Sequence, residues 1–246
     1  MTTFIMVPGA LHGAWAWERV VPILTARGNH AITSDLPGMG INEDIAVGDA
    51  TLALWTSFLV DIIRRAGEPV YLVAHSRGGL VIGEAAERVP ELVKGLIYVT
   101  SLIVPPGLTA DKVMGPENRS HQLTPSGDGK SFVMDAETAR RIFFNACASE
   151  DADWAVAHLC PEPVAVIQTP SSVSWDRWGR LPRAFIECSD DLTLSLERQA
   201  AIQAAAPCDP VVRIQADHSP FLSAPQDLVD ALGQIVDAWE SRSHAG

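Results

Sequence analysis

Apolar residues in this chain fall into two kinds of segment that alternate along the sequence. Short, nearly continuous apolar segments predict β-strands, because parallel strands that are buried on both faces have this composition. The predicted strands are residues 4–7, 30–33, 70–74, 95–100, 183–188 and 211–215. Between them, apolar residues recur with helical spacing. The pattern therefore predicts an α/β fold with a mostly parallel sheet of about six strands, flanked by helices.

Three of the helical stripes are well defined. They span residues 17–24, 52–63 and 228–239, with apolar side chains three or four positions apart. Gly28 and Gly67 follow the first two stripes, as expected of residues that end a helix in the left-handed conformation. Packing against the sheet explains all three stripes, and we assign no further role to them.

The alternation is interrupted once, between residues 105 and 181. This stretch contains two helix-like segments, 136–148 and 150–159, but no strand–helix unit. We therefore predict a core formed by residues 1–104 and 182–246, with 105–181 inserted as a helical cap. The cap is expected over the carboxyl edge of the sheet, where open α/β sheets bind their ligands.

The most informative chemical signal is a serine that follows the third predicted strand, in the sequence Ala74-His75-Ser76-Arg77-Gly78. Small residues two positions before and after Ser76 permit the sharp strand-to-helix turn of a nucleophile elbow. The start of the next helix would also favour negative charge at this point. Taken alone, the five residues fit a serine that caps an ordinary helix equally well.

A nucleophilic serine needs a base, and the base needs an acid that orients it. Around a nucleophile elbow these partners follow the serine in the order acid, then histidine, each in a loop after a later strand. His218 directly follows the last predicted strand, unlike the other downstream histidines. The preceding strand is followed by Asp190 and Asp191. We predict Asp191 as the acid and keep Asp190 as the alternative.

Two backbone N–H groups must bind the negative charge that develops on the attacked carbonyl oxygen. One is expected from Arg77, directly after Ser76. The other is expected from Ala10, in the loop after the first strand, where Gly9 permits close approach. The glycines of this loop would serve a simple tight turn equally well.

An apolar pocket is expected between the cap and the core, which would favour esters with hydrophobic groups. The residues predicted to line it are Leu11, His12, Phe143, Phe144, Trp154, His158, Trp175, Trp178 and Ser219. For the aromatic residues of the cap, burial between cap and core is an equally good interpretation.

Charge and cysteine content narrow the choice of partners. A net charge of −12 argues against a nucleic-acid binder and against docking on an anionic membrane. The 4 cysteines have no zinc-ligand spacing, so we expect no metal and no cofactor. The N-terminus lacks a signal-peptide pattern, so we expect a cytoplasmic enzyme with a small-molecule ester as its partner. The sequence leaves open whether the protein forms a homodimer.

Four segments together resemble the α/β-hydrolases related to plant methylesterases and hydroxynitrile lyases. They are residues 7–15 (VPGALHGAW), 35–40 (DLPGMG), 188–191 (CSDD) and 216–218 (ADH). The resemblance implies the α/β-hydrolase fold, with Ser76 as nucleophile, Asp191 as acid and His218 as base. It also implies Ala10 and Arg77 as backbone donors to the oxyanion. Pro8 stands where these proteins usually have histidine.

Two positions separate the esterases of this group from its lyases. The lyases have a threonine at the position of Gly9 and a lysine at the position of Ser219. The resemblance therefore implies hydrolysis of a carboxylic ester through an acyl-enzyme. A cyanohydrin-cleaving lyase and a small-molecule receptor on the same fold stay open as alternatives, and a zinc hydrolase has no support from ligand spacing.

Overall fold

The computed structural model of the protein describes residues 1–42, 44–115 and 123–243. Within them, one large sheet contains β1 (Thr3–Val7), β2 (His30–Thr33), β3 (Val70–His75), β4 (Val93–Val99), β8 (Arg183–Cys188) and β9 (Val211–Ile214). All neighbouring strands are parallel, in the order β2-β1-β3-β4-β8-β9. The six strands predicted from the sequence are confirmed.

Helices cover both faces of this sheet, and others lie in the stretch between β4 and β8. Along the chain they are α1 (Val20–Ala26), α2 (Leu52–Arg65), α3 (Gly78–Arg88), α4 (Ala110–Met114), α5 (Ala136–Phe143), α6 (Ser149–Ala157), α7 (Val164–Gln168), α8 (Leu196–Ala205), α9 (Pro220–Ser223) and α10 (Pro225–Ser243). Side chains of α1 and α10 pack on one face of the sheet, and those of α2, α3 and α8 pack on the other. The three helices predicted from apolar stripes correspond to α1, α2 and α10.

Alternate residues of the strands supply the two halves of the core. On β1, Phe4 and Met6 face α1 and α10, whereas Ile5 and Val7 face α2 and α3. All four side chains are buried. Because a parallel strand in the middle of the sheet must be apolar on both faces, the continuous apolar runs in the sequence identify these strands well.

The stretch between β4 and β8 differs from the helical cap that the sequence predicts. Besides its helices it holds a small antiparallel sheet, formed by β5 (Leu123–Pro125), β6 (Ser131–Met134) and β7 (Glu162–Pro163). These strands were not predicted because they are short and partly polar. We retain residues 105–181 as the proposed extent of the cap.

Parallel order places the functional loops at one edge of the sheet. The loops that follow β1, β3, β8 and β9 all leave its carboxyl edge, which is the edge that the cap was expected to cover. In the part of the chain that the structure describes, no helix is both long and apolar enough to cross a bilayer.

Candidate active site

Ser76 occupies the sharp turn between β3 and α3. Its φ of 50° lies in the left-handed region, which a residue other than glycine adopts only when its surroundings enforce it. The Ser76 carbonyl accepts hydrogen bonds from the Leu102 amide at 2.9 Å and the Ser101 hydroxyl at 2.6 Å. A Cβ atom at Gly78 would lie 2.8 Å from the Pro8 carbonyl oxygen, so a small residue is required there. This is the geometry of a nucleophile elbow.

A continuous chain of hydrogen bonds joins Ser76 to His218 and His218 to Asp191. The Nε2 atom of His218 lies 3.0 Å from Ser76 Oγ, and its Nδ1 atom lies 2.7 Å from Asp191 Oδ2. The imidazole and the carboxylate are both buried. The three residues thus have the contacts that a nucleophile, a base and an orienting acid require.

The Asp191 carboxylate is fixed by its own donors. Oδ1 accepts from the amides of Thr193 at 2.6 Å and Leu194 at 2.8 Å, and the Thr100 hydroxyl donates to Oδ2. The Asp190 carboxylate accepts from the Ser189 hydroxyl at 3.0 Å and does not contact His218. The structure therefore places Asp191, and not the alternative Asp190, in the chain of hydrogen bonds.

Ala10 and Arg77 line the same cavity as Ser76. Among the described residues, neither amide donates to a backbone carbonyl. A Cβ atom at Gly9 would lie 2.5 Å from His75 Nδ1 and 2.9 Å from Ser76 Cβ, so only glycine lets this loop approach the elbow. The two amides are available to a carbonyl oxygen bound beside Ser76.

The cavity next to Ser76 is walled mainly by aliphatic, methionine and phenylalanine side chains. Besides Ala10, Ser76 and Arg77, its described lining is Leu11, Met114, Leu123, Phe132, Met134, Ile142, Phe143, Ile167 and Thr193. Of the residues predicted to line the pocket, Leu11 and Phe143 do so. Most of the remaining wall comes from β5, β6 and α5.

Three other predicted pocket residues lie behind this wall. The His12 ring is buried, with its centroid 5.3 Å from that of Phe143 and 5.9 Å from that of Phe144. Phe144 and Ser219 are buried as well and do not border the cavity. The structure thus corrects the prediction that His12, Phe144 and Ser219 line the pocket.

Trp154 and His158 were predicted to line the pocket, and the structure corrects this. Their rings lie 4.3 Å apart on the outer side of α6, and Trp154 packs edge-on against Trp15 at 5.3 Å. Trp154 borders a separate surface cavity beside Arg19. Helical spacing in the sequence indicates which residues share a face, but not which face of a cap helix points to the core.

Trp175 and Trp178 are also corrected. The Trp178 indole is buried against α3 and donates from Nε1 to the Tyr98 hydroxyl at 3.2 Å, so it belongs to the core. Trp175 packs on Trp178 at 5.2 Å between ring centroids and is 50% exposed. The prediction is wrong for both because their segment runs along α3, away from the cavity.

A buried ion pair beside the nucleophile was missed by the sequence interpretation. Arg77 Nε lies 2.7 Å from Glu162 Oε1, with the two side chains 1% and 0% exposed. The guanidinium also stacks over the Trp55 ring at 4.5 Å. Burial raises the pKa of Glu162, and the neighbouring guanidinium opposes this rise. No sequence signal links the two residues, which lie 85 positions apart.

Two further histidines are buried near the site: His75 contacts His218, and His12 contacts His75. Burial lowers the pKa of His12 to about 3 and that of His75 well below its ordinary value. His75 donates from Nε2 to the His218 carbonyl at 2.7 Å, and His12 donates from Nδ1 to the Ala10 carbonyl at 2.6 Å. Both imidazoles therefore act here as hydrogen-bond donors and not as charges.

The described residues contain no group of three or more histidine, cysteine, aspartate or glutamate side chains that could hold a metal ion.

Comparison with known proteins adds an independent finding. Residues 4–231 match the family model described as the alpha/beta hydrolase family. The chain is 30% identical over 248 residues to putative methylesterase 12 (chloroplastic) of Arabidopsis thaliana, covering 95% of this chain and 71% of the relative. It is 29% identical over 249 residues to a pyrethroid hydrolase of Sphingobium wenxiniae, covering 97% and 89%.

A solved structure shows the same similarity in three dimensions. The crystal structure of a pyrethroid hydrolase from Sphingobium faniae superimposes with a TM-score of 0.86 at 28% sequence identity. The superposition covers 96% of this chain and 98% of the other. The similarity therefore includes both the sheet and the stretch between β4 and β8.

Proposed function

The chain belongs to the α/β-hydrolase family, and we propose that it hydrolyses carboxylic esters of small hydrophobic molecules through an acyl-enzyme. The family resemblance and the α/β-hydrolase fold predicted from the sequence are both confirmed. Methylesterase and pyrethroid hydrolase relatives support ester hydrolysis. The observation that carries the mechanism is the hydrogen-bonded chain from Ser76, which lines an apolar cavity, through His218 to Asp191.

In the proposed reaction, Ser76 Oγ attacks the ester carbonyl carbon while His218 Nε2 takes the hydroxyl proton. The carbonyl oxygen becomes an oxyanion, which accepts hydrogen bonds from the Ala10 and Arg77 amides. As the tetrahedral intermediate collapses, His218 returns the proton to the leaving alcohol. Water, activated by the same imidazole, then releases the acid and restores Ser76. Asp191 holds the imidazole in place and stabilises its charged form.

The wall of the cavity supports neutral, apolar substrates. Among its described lining residues, Arg77 is the only charged one, and its guanidinium is already paired with Glu162. A carboxylate or phosphate on the substrate would find no unpaired cation there. Leu11, Phe132 and Phe143 instead offer apolar surface to the acyl or alcohol group.

The experiment compares the parent protein with Ser76→Ala in the hydrolysis of p-nitrophenyl esters of short and medium chain length. We expect kcat to fall by roughly 10³-fold or more, because no other group can form the acyl-enzyme. Ser57→Ala, at an exposed position on α2, is the matched control and should keep parental kcat. A well-folded Ser76→Ala protein with parental turnover would show that the proposed mechanism is wrong.

A further inference from the structure

The Arg77 guanidinium contacts the loop that carries the other proposed oxyanion donor. Its Nη2 atom donates to the Gly9 carbonyl at 2.8 Å, and both partners are buried. The Gly9 carbonyl and the Ala10 amide belong to one planar trans peptide unit, in which C=O and N–H point in opposite directions. A donor that holds the carbonyl on one side therefore turns the Ala10 N–H towards the other side, where Ser76 and the cavity lie.

The next peptide unit of the same loop is held at both ends. Its carbonyl, from Ala10, accepts from His12 Nδ1 at 2.6 Å, and its N–H, from Leu11, donates to Glu162 Oε2 at 2.9 Å. Leu11 has a φ of 65°, which a leucine adopts only under constraint. The Cys160 amide donates to the Leu11 carbonyl at 2.9 Å and adds to that constraint.

Glu162 connects these contacts to each other. Its carboxylate accepts from the Leu11 amide and from Arg77, with Oε1 2.7 Å from Arg77 Nε and Oε2 3.2 Å from Nη2. Glu162 lies on β7, in the stretch proposed as the cap, and its side chain is 0% exposed. One carboxylate of the cap thus fixes both the guanidinium and the backbone on either side of Ala10.

We propose that Glu162 and the Arg77 side chain are positioning residues, which aim the Ala10 amide at the oxyanion. Arg77 then has two separate roles: its own amide binds the oxyanion, and its guanidinium orients the second donor. The inference rests on the proposed function, because it assigns the pair to the oxyanion hole of that reaction. A buried pair that only stabilised the fold would not need to contact the Gly9 carbonyl.

The main test is the double variant Arg77→Met/Glu162→Gln. It leaves no unpaired buried charge, keeps both backbone amides and retains an acceptor for the Leu11 N–H. It removes the guanidinium donor to the Gly9 carbonyl and leaves that oxygen only the longer contact from the His12 amide, at 3.4 Å. Loss of an oxyanion-hole donor costs about 10²- to 10³-fold in kcat, so misdirecting one is expected to cost about 10- to 100-fold. Because the substrate contacts in the ground state remain, KM should stay within about 3-fold of the parent.

A pair of inhibitors supplies a readout that a structural role would not change. Ser76 Oγ adds to the carbonyl carbon of a trifluoromethyl ketone, and the serine proton moves to His218. The former carbonyl oxygen then becomes an oxyanion bound by the two amides. The methyl ketone of the same chain binds without this addition. We expect the double variant to lose affinity for the trifluoromethyl ketone by the same factor as kcat, and to bind the methyl ketone as the parent does.

Glu84→Gln is the matched control. Glu84 is another buried glutamate that holds the stretch between β4 and β8, through Ser171 and Ser172, but it does not contact the oxyanion loop. This variant should have a lower melting temperature and a kcat within about 2-fold of the parent. Active sites are counted by titration with a phosphonate ester, so that unfolded protein does not lower the apparent kcat.

Parental kcat and parental trifluoromethyl ketone affinity in a folded double variant would overturn the inference. If the double variant does not fold, Glu162→Gln alone decides in the same way, with an expected loss of severalfold in both quantities. The proposed function is tested separately by Ser76→Ala. Serine-dependent turnover in the parent with unchanged double-variant kinetics would refute only the positioning role, whereas turnover independent of Ser76 would refute the function and with it this inference.

Discussion

At the scale of single residues, steric limits around Ser76 decide the geometry of the site. Gly9 lies so close to the His75 ring and to Ser76 Cβ that a methyl group has no room there. Ser76 and Leu11 both adopt left-handed backbone conformations, and hydrogen bonds from neighbouring segments keep each of them there. The reacting groups are thus fixed before substrate arrives, which is what stabilisation of an oxyanion by oriented amides requires.

Gly9→Ala tests whether the lack of space for a methyl group at this position sets the geometry of the site. Its Cβ would lie 2.5 Å from His75 Nδ1, so the loop must move away from the elbow and carry the Ala10 amide with it. We expect kcat to fall by about 100-fold, in line with the loss of one oxyanion donor, and the free energy of unfolding to fall by about 1–3 kcal/mol, as for other overpacked positions.

Gly127→Ala is the control for Gly9→Ala, because a Cβ at Gly127 meets nothing within 4 Å. It should leave both kcat and stability near their parental values. The measurements are steady-state kinetics on a p-nitrophenyl ester and urea denaturation. Parental kcat in Gly9→Ala would show that the loop after β1 does not supply a donor.

At the scale of secondary-structure elements, two segments between β4 and β8 that both carry aromatic residues have different roles. α5 brings Ile142 and Phe143 to the cavity, and the Phe143 ring lies 5.4 Å from that of His218. The segment around Trp178 instead packs along α3, where Glu87 accepts a hydrogen bond from the Trp178 amide at 3.0 Å. α5 is therefore expected to govern substrate fit, and the Trp178 segment to govern stability.

Substitutions in the two segments should separate these roles. Trp178→Phe removes the hydrogen bond to Tyr98 and part of a buried ring, so we expect a lower melting temperature with unchanged KM. Phe143→Leu should change the relative kcat/KM for short- and medium-chain esters, with a smaller effect on stability. A changed chain-length preference in Trp178→Phe would contradict the assignment of this tryptophan to the core.

The strands, the proposed triad and the segment around Trp178 show what sequence patterns can and cannot predict. Ser76, Asp191 and His218 could be proposed from the sequence, and the strands predicted, because each depends on local features: an apolar run, a small-residue turn, a position after a strand. The Arg77–Glu162 pair has no such feature, since the partners meet only after the chain has folded. The orientation of Trp175 and Trp178 likewise depends on how the inserted stretch packs, which apolar periodicity alone does not determine.

At the scale of the whole molecule, buried neutral histidines link the site to global stability. The His75 ring contacts both other rings: its centroid lies 5.5 Å from that of His12 and 4.7 Å from that of His218. Burial disfavours the charged form of both, and so lowers their pKa values. The folded protein therefore cannot take up the protons that the unfolded chain binds readily in mild acid.

The pH dependence of the free energy of unfolding follows from the difference in proton binding between the folded and unfolded states. Above pH 6.5, the ordinary pKa, His12 is neutral in both states and has no effect on stability. As the pH falls from 6.5 towards about 3, the folded-state pKa of His12, only the unfolded chain gains this proton. The free energy of unfolding should therefore decrease with falling pH by up to about 1.4 kcal/mol per pH unit for each such histidine.

His12→Asn isolates one of these protons. The asparagine amide can still donate to the Ala10 carbonyl in place of His12 Nδ1, but it does not titrate. The free energy of unfolding is measured by urea denaturation between pH 6 and pH 4. It should decline less steeply in this variant than in the parent, by up to about 1.4 kcal/mol per pH unit, which corresponds to one proton. His30→Asn, which replaces an exposed histidine on β2, is the control and should keep the parental slope. Equal slopes in the parent and His12→Asn would mean that His12 can be protonated without unfolding, and that the imidazole cluster around His218 is open to water.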